Sequence, residues 1–275
     1  MCPKLMKRFR RNLLITVIAV LIYFAVALVQ HTVLYHDRSS WLRTFAKPRF
    51  YLRMLFCSDL EAINGDPLWF MFSLLLAYLI FWGMYRLRLQ RFAKYAMPLF
   101  ILLRLVLETY KYAVGADWRI CSNVLVAALP LMLLGYCIAE YKETLLRISA
   151  AAAAVCCAVS MLCLFLLIVH NPFRWNITQI FKLTAVVSAF LFALKKPEKR
   201  IFPPLSALGG ACSLHVYLWH MPLIVIANMI FERQMRSARF CDWYLPLIVA
   251  AESVLLAVLI AAAQRTWKKL LHRAA

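Results

Sequence analysis

Acidic residues are scarce in this chain: 12 Asp and Glu stand against 32 Lys and Arg, and charged residues fill only 16% of 275 positions. A soluble domain carries about 25% charged residues, so a soluble globular fold is excluded. Nine cysteines are present, an odd number, and none forms a CxxC pair, so the spacing points to no metal site and no disulfide framework. Cys57, Cys121 and Cys241 are expected on the outer side, where a disulfide between two of them stays open. Internal repeats, disordered linkers and soluble appendages are also lacking. A single membrane-embedded domain is therefore expected over residues 1–275.

Apolar side chains are abundant instead, at 64% of the chain with a mean hydropathy of +0.74. They come in blocks of about 18–25 residues, each long enough as a helix to cross a hydrocarbon core of about 30 Å. We read spans at roughly 13–34, 66–85, 95–114, 120–139, 148–169, 176–194, 205–231 and 245–263. Long unbroken runs exclude the alternating strands of a barrel, and lipid excludes open sheets. The fold class is thus an all-α polytopic membrane bundle of about eight helices. The spans at 95–114 and 176–194 are the weakest, because each carries charge.

The net charge of +20 would suggest nucleic acid for a soluble protein. Here the Lys and Arg residues gather in the connections, so membrane topology accounts for them and no nucleic-acid partner is expected. Their bias places both termini on the cytoplasmic side of the inner membrane. The basic start followed by apolar residues resembles a signal peptide, with Ala25-Val-Ala27 as a cleavage site. The apolar pattern runs on through Val33 and Leu34, which favours a retained first span.

The longest connection, about residues 35 to 65, holds Trp41, Phe45, Phe50 and Tyr51 among basic residues. It suits an interfacial helix, either as an aromatic anchor or as a lip for an acceptor. Asp66 and Pro67 have the chemistry to cap and open the next helix. Ala150, Ala154 and Ala158 recur at the spacing that lets helices pack closely.

Polar residues within the apolar blocks are the candidates for chemistry. In "SLHVYLWHMPL" a helix sets Ser213, Tyr217 and His220 on one face. Pro222 has no N–H for the Leu218 carbonyl, so the helix is expected to bend there and leave that oxygen seeking a partner. Such a face could orient a substrate and move protons, or it could be a structural polar cluster. His215, off that face, reads as an interhelical hydrogen-bonding residue. Arg104, Glu108 and Lys111 repeat the same spacing, with Arg104 and Glu108 as the obvious pair, either structural or lining a polar cavity. Lys182 is either a snorkelling residue or part of the interior. The clusters at Lys7, Arg8, Arg10 and Arg11, at Arg86, Arg88 and Arg91, and at Lys195, Lys196, Lys199 and Arg200 fit positive-inside bias and also suit a phosphorylated cytoplasmic donor.

Three passages, "GDPLWFMFSLLLAYLI", "LPLMLLGYCIAEY" and "CSLHVYLWHMPLIVI", resemble the Leu-Trp-Phe span, the Leu-Gly-Tyr span end and the Ser-x-x-x-Tyr-Leu-x-His segment of the acyltransferase 3 family of membrane proteins. Order and spacing agree across most of residues 5 to 265. The family's first span carries an Arg and, some ten residues on, a His regarded as catalytic. No residue here corresponds to that His, and "KRFRRNLLITVI" is similar to the start of the family's third span. The resemblance therefore implies a shortened chain or a divergent member; His31, at the outer end of the first span, is a poor substitute by position.

The implied reaction is transfer of a short acyl group, acetyl in the simplest case, from acyl-CoA to a hydroxyl of an envelope glycan or lipid-linked sugar. No tightly bound cofactor is expected; acetyl-CoA is a donor substrate. His220 would act as base with Tyr217 and Ser213 orienting. Arg104, Glu108, Lys111 and Trp69 would contact substrate, and Arg10, Arg11, Arg86 and Arg88 the donor. Besides membrane lipids no other partner is implied. A small-solute transporter is the alternative from another class, motivated by Arg104, Glu108 and Lys182 within spans. A non-catalytic scaffold derived from the enzyme is a third.

Overall fold

The computed structural model describes residues 2–65, 67–115, 117, 121, 123–170, 175–195, 203–231, 241 and 244–274. Those residues are helical or in short connections, with no strand among them. By internal contacts the chain divides into two compact units, Met1–Leu5 with Ser73–Arg200 and Met6–Phe72 with Ile201–Ala275. We call them the central and the outer-segment unit, after their places in the sequence.

The outer-segment unit begins at Met6 within α1 (Cys2–Val33), a helix of 32 residues. Its buried stripe is Asn12, Thr16, Ala19, Tyr23, Ala27 and Gln30, a run of three- and four-residue steps that keeps one side of a helix inward. Four of those six are small or hydroxylic, while Leu14, Leu21 and Val33 face outward. This inversion belongs to a helix surrounded by lipid, where apolar side chains gain nothing by turning inward. After α1 come α2 (Arg38–Phe45) and α3 (Pro48–Cys57). Tyr51, Leu52, Leu55 and Phe56 of α3 are exposed together, as an interfacial helix requires.

The connection to α4 (Leu68–Arg86) is tight. A side chain at Gly65 would place its Cβ 2.7 Å from the Leu60 Cβ, so this close approach needs glycine. Pro67 precedes α4 rather than opening it, and the expected cap at Asp66 lies outside the described residues. The same unit contains α11 (Pro203–Ile230) and α12 (Leu245–Ala274). Val249, Ser253 and Ala257 give α12 a narrow buried side of mostly small residues. Tyr23, Leu68, Met71, Leu218 and Trp219 form the core of this unit.

The central unit holds most of α4, then α5 (Ala93–Val114), α6 (Val124–Ala127), α7 (Leu129–Glu140), α8 (Lys142–Leu145), α9 (Ala150–His170) and α10 (Trp175–Lys195). The span read at 120–139 is divided. The Asn123 side chain caps α6 by accepting from the Leu125 and Val126 amides, and Pro130 has no N–H to return to the Val126 carbonyl. On α9 the buried positions are Ala153 and Ser160, whereas Ala154 and Ala158 are exposed. The buried side of α9 is therefore not the alanine row expected to pack.

Among the described residues, six helices are long and apolar enough to cross a membrane: Leu5–Val33, Leu68–Arg86, Ala150–Val169, Thr178–Lys195, Cys212–Ile230 and Leu245–Gln264. The shorter apolar stretch Val124–Glu140 accompanies them. The charged helix α5 matches the span read at 95–114 in length. The protein is an all-α, multi-pass membrane bundle.

Candidate active site

Pro222 lies inside α11, which continues as helix to Ile230. The oxygen it leaves without an intrahelical donor, the Leu218 carbonyl, accepts a hydrogen bond from the Tyr23 hydroxyl of α1 at 2.6 Å. Tyr23 is 1% exposed and Leu218 fully buried, so this bond satisfies two groups that water cannot reach. One residue earlier on α11, the Tyr217 hydroxyl donates to the Pro67 carbonyl at 2.7 Å. Two phenols thus tie α11 to α1 and to the start of α4.

His220 is partly buried and its Nδ1 lies 2.7 Å from the Tyr217 carbonyl. A carbonyl only accepts, so Nδ1 carries the proton and Nε2 of the neutral ring keeps its lone pair. Among the described residues nothing bonds that Nε2. The rings of Trp69, Phe70, Tyr217 and His220 follow one another at centroid distances of 6.1, 6.0 and 6.1 Å. The structure therefore brings Trp69, Tyr217 and His220 into one row, with an imidazole lone pair at its end.

Ser213 is not part of that row in the same sense. It is exposed and makes no hydrogen bond among the described residues, although helical spacing sets it on the side of Tyr217. His215 meets the interhelical expectation through a long 3.5 Å contact from the Gln264 amide to its Nε2. Its Nδ1 and the Trp219 Nε1 are buried without a partner among the described residues. The Trp219 indole is a donor beside His220 in sequence that the reading by polar residue type passed over.

A second imidazole has stronger partners than its position in the sequence suggested. His31 Nδ1 donates to the Asp37 carboxylate at 2.7 Å, and its ring stacks on Trp41 at 4.9 Å and 15°. Trp41 is held by a 2.6 Å bond from its indole N–H to the Ala62 carbonyl, and Gln30 accepts from Asn64 at 2.7 Å. The signal for this pair was the six-residue step from His31 to Asp37 across a helix end.

The charged candidates of the central unit pair differently from expectation. Glu108, 7% exposed, lies 3.6 Å from Lys111 and forms no ion pair with Arg104. Both spacings are within helical reach, and the Lys111 ammonium takes the carboxylate. Arg104 instead lines a cavity with Lys182. Cys121, buried in the connection after α5, has its thiol pushed up by burial and then by the Glu108 charge, which favours the protonated form. The donor candidates Arg10 and Arg11 are exposed on α1. In the other unit Arg86 and Arg88 are exposed at and after the end of α4, with the Arg86 guanidinium 6.0 Å from the Trp82 ring. Lys196, Lys199 and Arg200 lie outside the described residues; Lys195 donates to the Leu146 carbonyl at 2.6 Å. No disulfide joins the described cysteines, and no group of three or more His, Cys, Asp or Glu is arranged for a metal among the described residues.

No curated protein and no solved structure matches the chain. One family does, by its acyltransferase domain, and the match runs over residues 3–263. It takes in Trp69, Tyr217 and His220 and nearly the whole helical bundle, and the chain accordingly belongs to the acyltransferase 3 family of membrane acyltransferases.

Proposed function

We propose that the protein moves a short acyl group, acetyl in the simplest case, from acyl-CoA to a hydroxyl of a cell-envelope glycan or lipid-linked sugar. The observation that carries the reading is the fixed tautomer of His220, whose Nδ1–H is committed to the Tyr217 carbonyl. Its Nε2 is thereby ready to take the acceptor hydroxyl proton as that oxygen attacks the thioester carbon. The tetrahedral adduct collapses, the C–S bond breaks, and the imidazolium returns the proton to the leaving thiolate. Tyr217, fixed by Pro67, holds the backbone turn on which His220 sits. The Trp219 indole N–H is a buried donor on the same helix available to the oxyanion. Ser213 remains a proposed orienting residue, and Trp69, Arg104, Glu108 and Lys111 remain proposed substrate contacts. Arg10, Arg11, Arg86 and Arg88 are proposed for the CoA phosphates, which guanidinium groups bind bidentately.

Purified protein should release CoA from acetyl-CoA and label a glycan hydroxyl. Solute flux in liposomes without any acyl donor, with no transfer, would favour the transporter instead. The His31–Asp37 pair supports a second reading of the base, because a carboxylate on Nδ1 orients an imidazole and stabilises its charged form.

The charge bias supports an inner-membrane location with both termini cytoplasmic. In single-cysteine variants on intact cells, an impermeant thiol reagent should modify Cys57 or Cys241 but not Cys2. Labelling of Cys2 from outside overturns the orientation.

A further inference from the structure

Residues 38–56 of the outer-segment unit carry five cations, Arg38, Arg43, Lys47, Arg49 and Arg53, and no Asp or Glu. Four of the five are exposed and Arg53 is half-buried. The acids on either flank are already engaged. Asp37 accepts from His31 at 2.7 Å, and the buried Asp59 accepts from the Glu61 amide at 3.1 Å. Among the described residues none of the five cations has a carboxylate within ion-pair distance.

Around α3 the side chains sort by helical angle into three sectors. Phe50, Met54 and Cys57 turn inward and are half-buried, Tyr51, Leu52, Leu55 and Phe56 turn outward, and Arg49 and Arg53 stand on the border between the two. A succession of rings fixes α2 and α3 to α1: Phe24 to Phe45 at 5.4 Å, Phe45 to Phe50 at 5.0 Å and Phe50 to Tyr51 at 5.3 Å. Trp41 of α2 completes the anchor through its indole N–H on the Ala62 carbonyl. The outward face is thus held in place before anything docks on it, and docking costs little ordering.

An apolar strip edged by guanidinium groups fits the headgroup layer of a membrane. Its rings and leucines sink to the level of the acyl chains, while the arginine stems lie along apolar surface and lift their charges to the phosphates. A zwitterionic headgroup offsets its phosphate with an ammonium of its own. Five cations without an acid match headgroups of net negative charge instead. We propose that α2 and α3 form a docking surface for anionic phospholipid and gather such lipids beside the end of α1, where His31 pairs with Asp37. The surface is independent of the acyl-transfer reading and stands whichever histidine, or neither, is the base.

The test puts photoreactive benzoylphenylalanine in place of Phe56, which is 64% exposed. The full chain is reconstituted in liposomes of equal parts phosphatidylglycerol and phosphatidylcholine with identical acyl chains, irradiated, and its adducts are identified by mass spectrometry. Phosphatidylglycerol adducts should exceed phosphatidylcholine adducts at least about fivefold, the preference that one cation near the surface supplies. The same probe in place of Phe165, exposed on the uncharged helix α9, should give a ratio within about twofold of one. R43Q/K47Q/R49Q/R53Q should bring the ratio at position 56 down to that of the control, and high salt should lower it in the native chain. If the quadruple variant does not accumulate, R49Q/R53Q, confined to α3, should at least about halve the ratio. A ratio near one at position 56, a native-like ratio after neutralisation in either variant, or adducts to polypeptide in place of lipid overturns the proposal.

Discussion

Replacing His220 by Gln should lower acyl transfer at least about 100-fold while leaving the folded yield unchanged, because a positioned general base contributes about 10²–10⁴ in rate. Gln can still donate an amide N–H toward the Tyr217 carbonyl, now 2.7 Å from the imidazole Nδ1, so the local bond is replaceable. What Gln lacks is the second nitrogen that accepts and returns a proton. The measurement is CoA release with acetyl-CoA and a glycan acceptor, normalised to monodisperse protein. His31→Gln is the informative companion. On the His220 reading it should alter the outer end of α1, where the ring stacks on Trp41 at 4.9 Å, and reduce rate by less than tenfold. A collapse of activity in His31→Gln with near-normal His220→Gln would reject His220 as base and transfer the role to the His31–Asp37 pair.

Tyr23→Phe should destabilise the protein by about 1–3 kcal/mol, the cost of leaving a buried acceptor unserved. The Leu218 carbonyl has no intrahelical donor because residue 222 is proline, and the Tyr23 hydroxyl is what serves it, at 2.6 Å. Pro222→Ala restores an amide N–H four residues on. In that background the same Tyr23→Phe change should cost less than about 1 kcal/mol, so the two substitutions are coupled. Thermal or SDS denaturation of the four proteins in one detergent closes the cycle. Simple additivity would show that the hydroxyl and the missing amide do not share one carbonyl.

How far the chain could be read in advance follows from the reach of each signal. Helical spans were legible because lipid imposes length and hydropathy on each segment separately. Pro222 made the orphaned Leu218 oxygen legible, since its cause lies four residues away. Its partner was not, because Tyr23 is 195 positions distant and reads as one more aromatic in an apolar run. Helical reach allowed Glu108 both Arg104 and Lys111, and spacing alone could not choose between them. The division at Pro130 was hidden by an apolar count that ignores backbone donors. Ser213 was grouped with Tyr217 and His220 by angle around the helix, but angle says nothing of how far along α11 the covering neighbours extend. The His31–Asp37 contact forms across a helix end, where periodicity stops. The row from Trp69 to His220 needed both the start of α4 and α11, and no local pattern announces such a meeting.

The distance in sequence between Tyr23 and Leu218 also bears on how the chain is assembled. A ribosome delivers α1 to the bilayer long before α11 emerges. Once α11 arrives, its Leu218 oxygen has no donor of its own in hydrocarbon, where an unserved backbone group is expensive. The segment gains a reason to leave the lipid for α1, and of the groups on α1 only one side, carrying Tyr23 between Ala19 and Ala27, offers both the hydroxyl and room for close approach. Pro222 thereby acts as an address: it withholds a bond from one helix so that a particular earlier helix, in a particular rotation, is the place where the newcomer comes to rest.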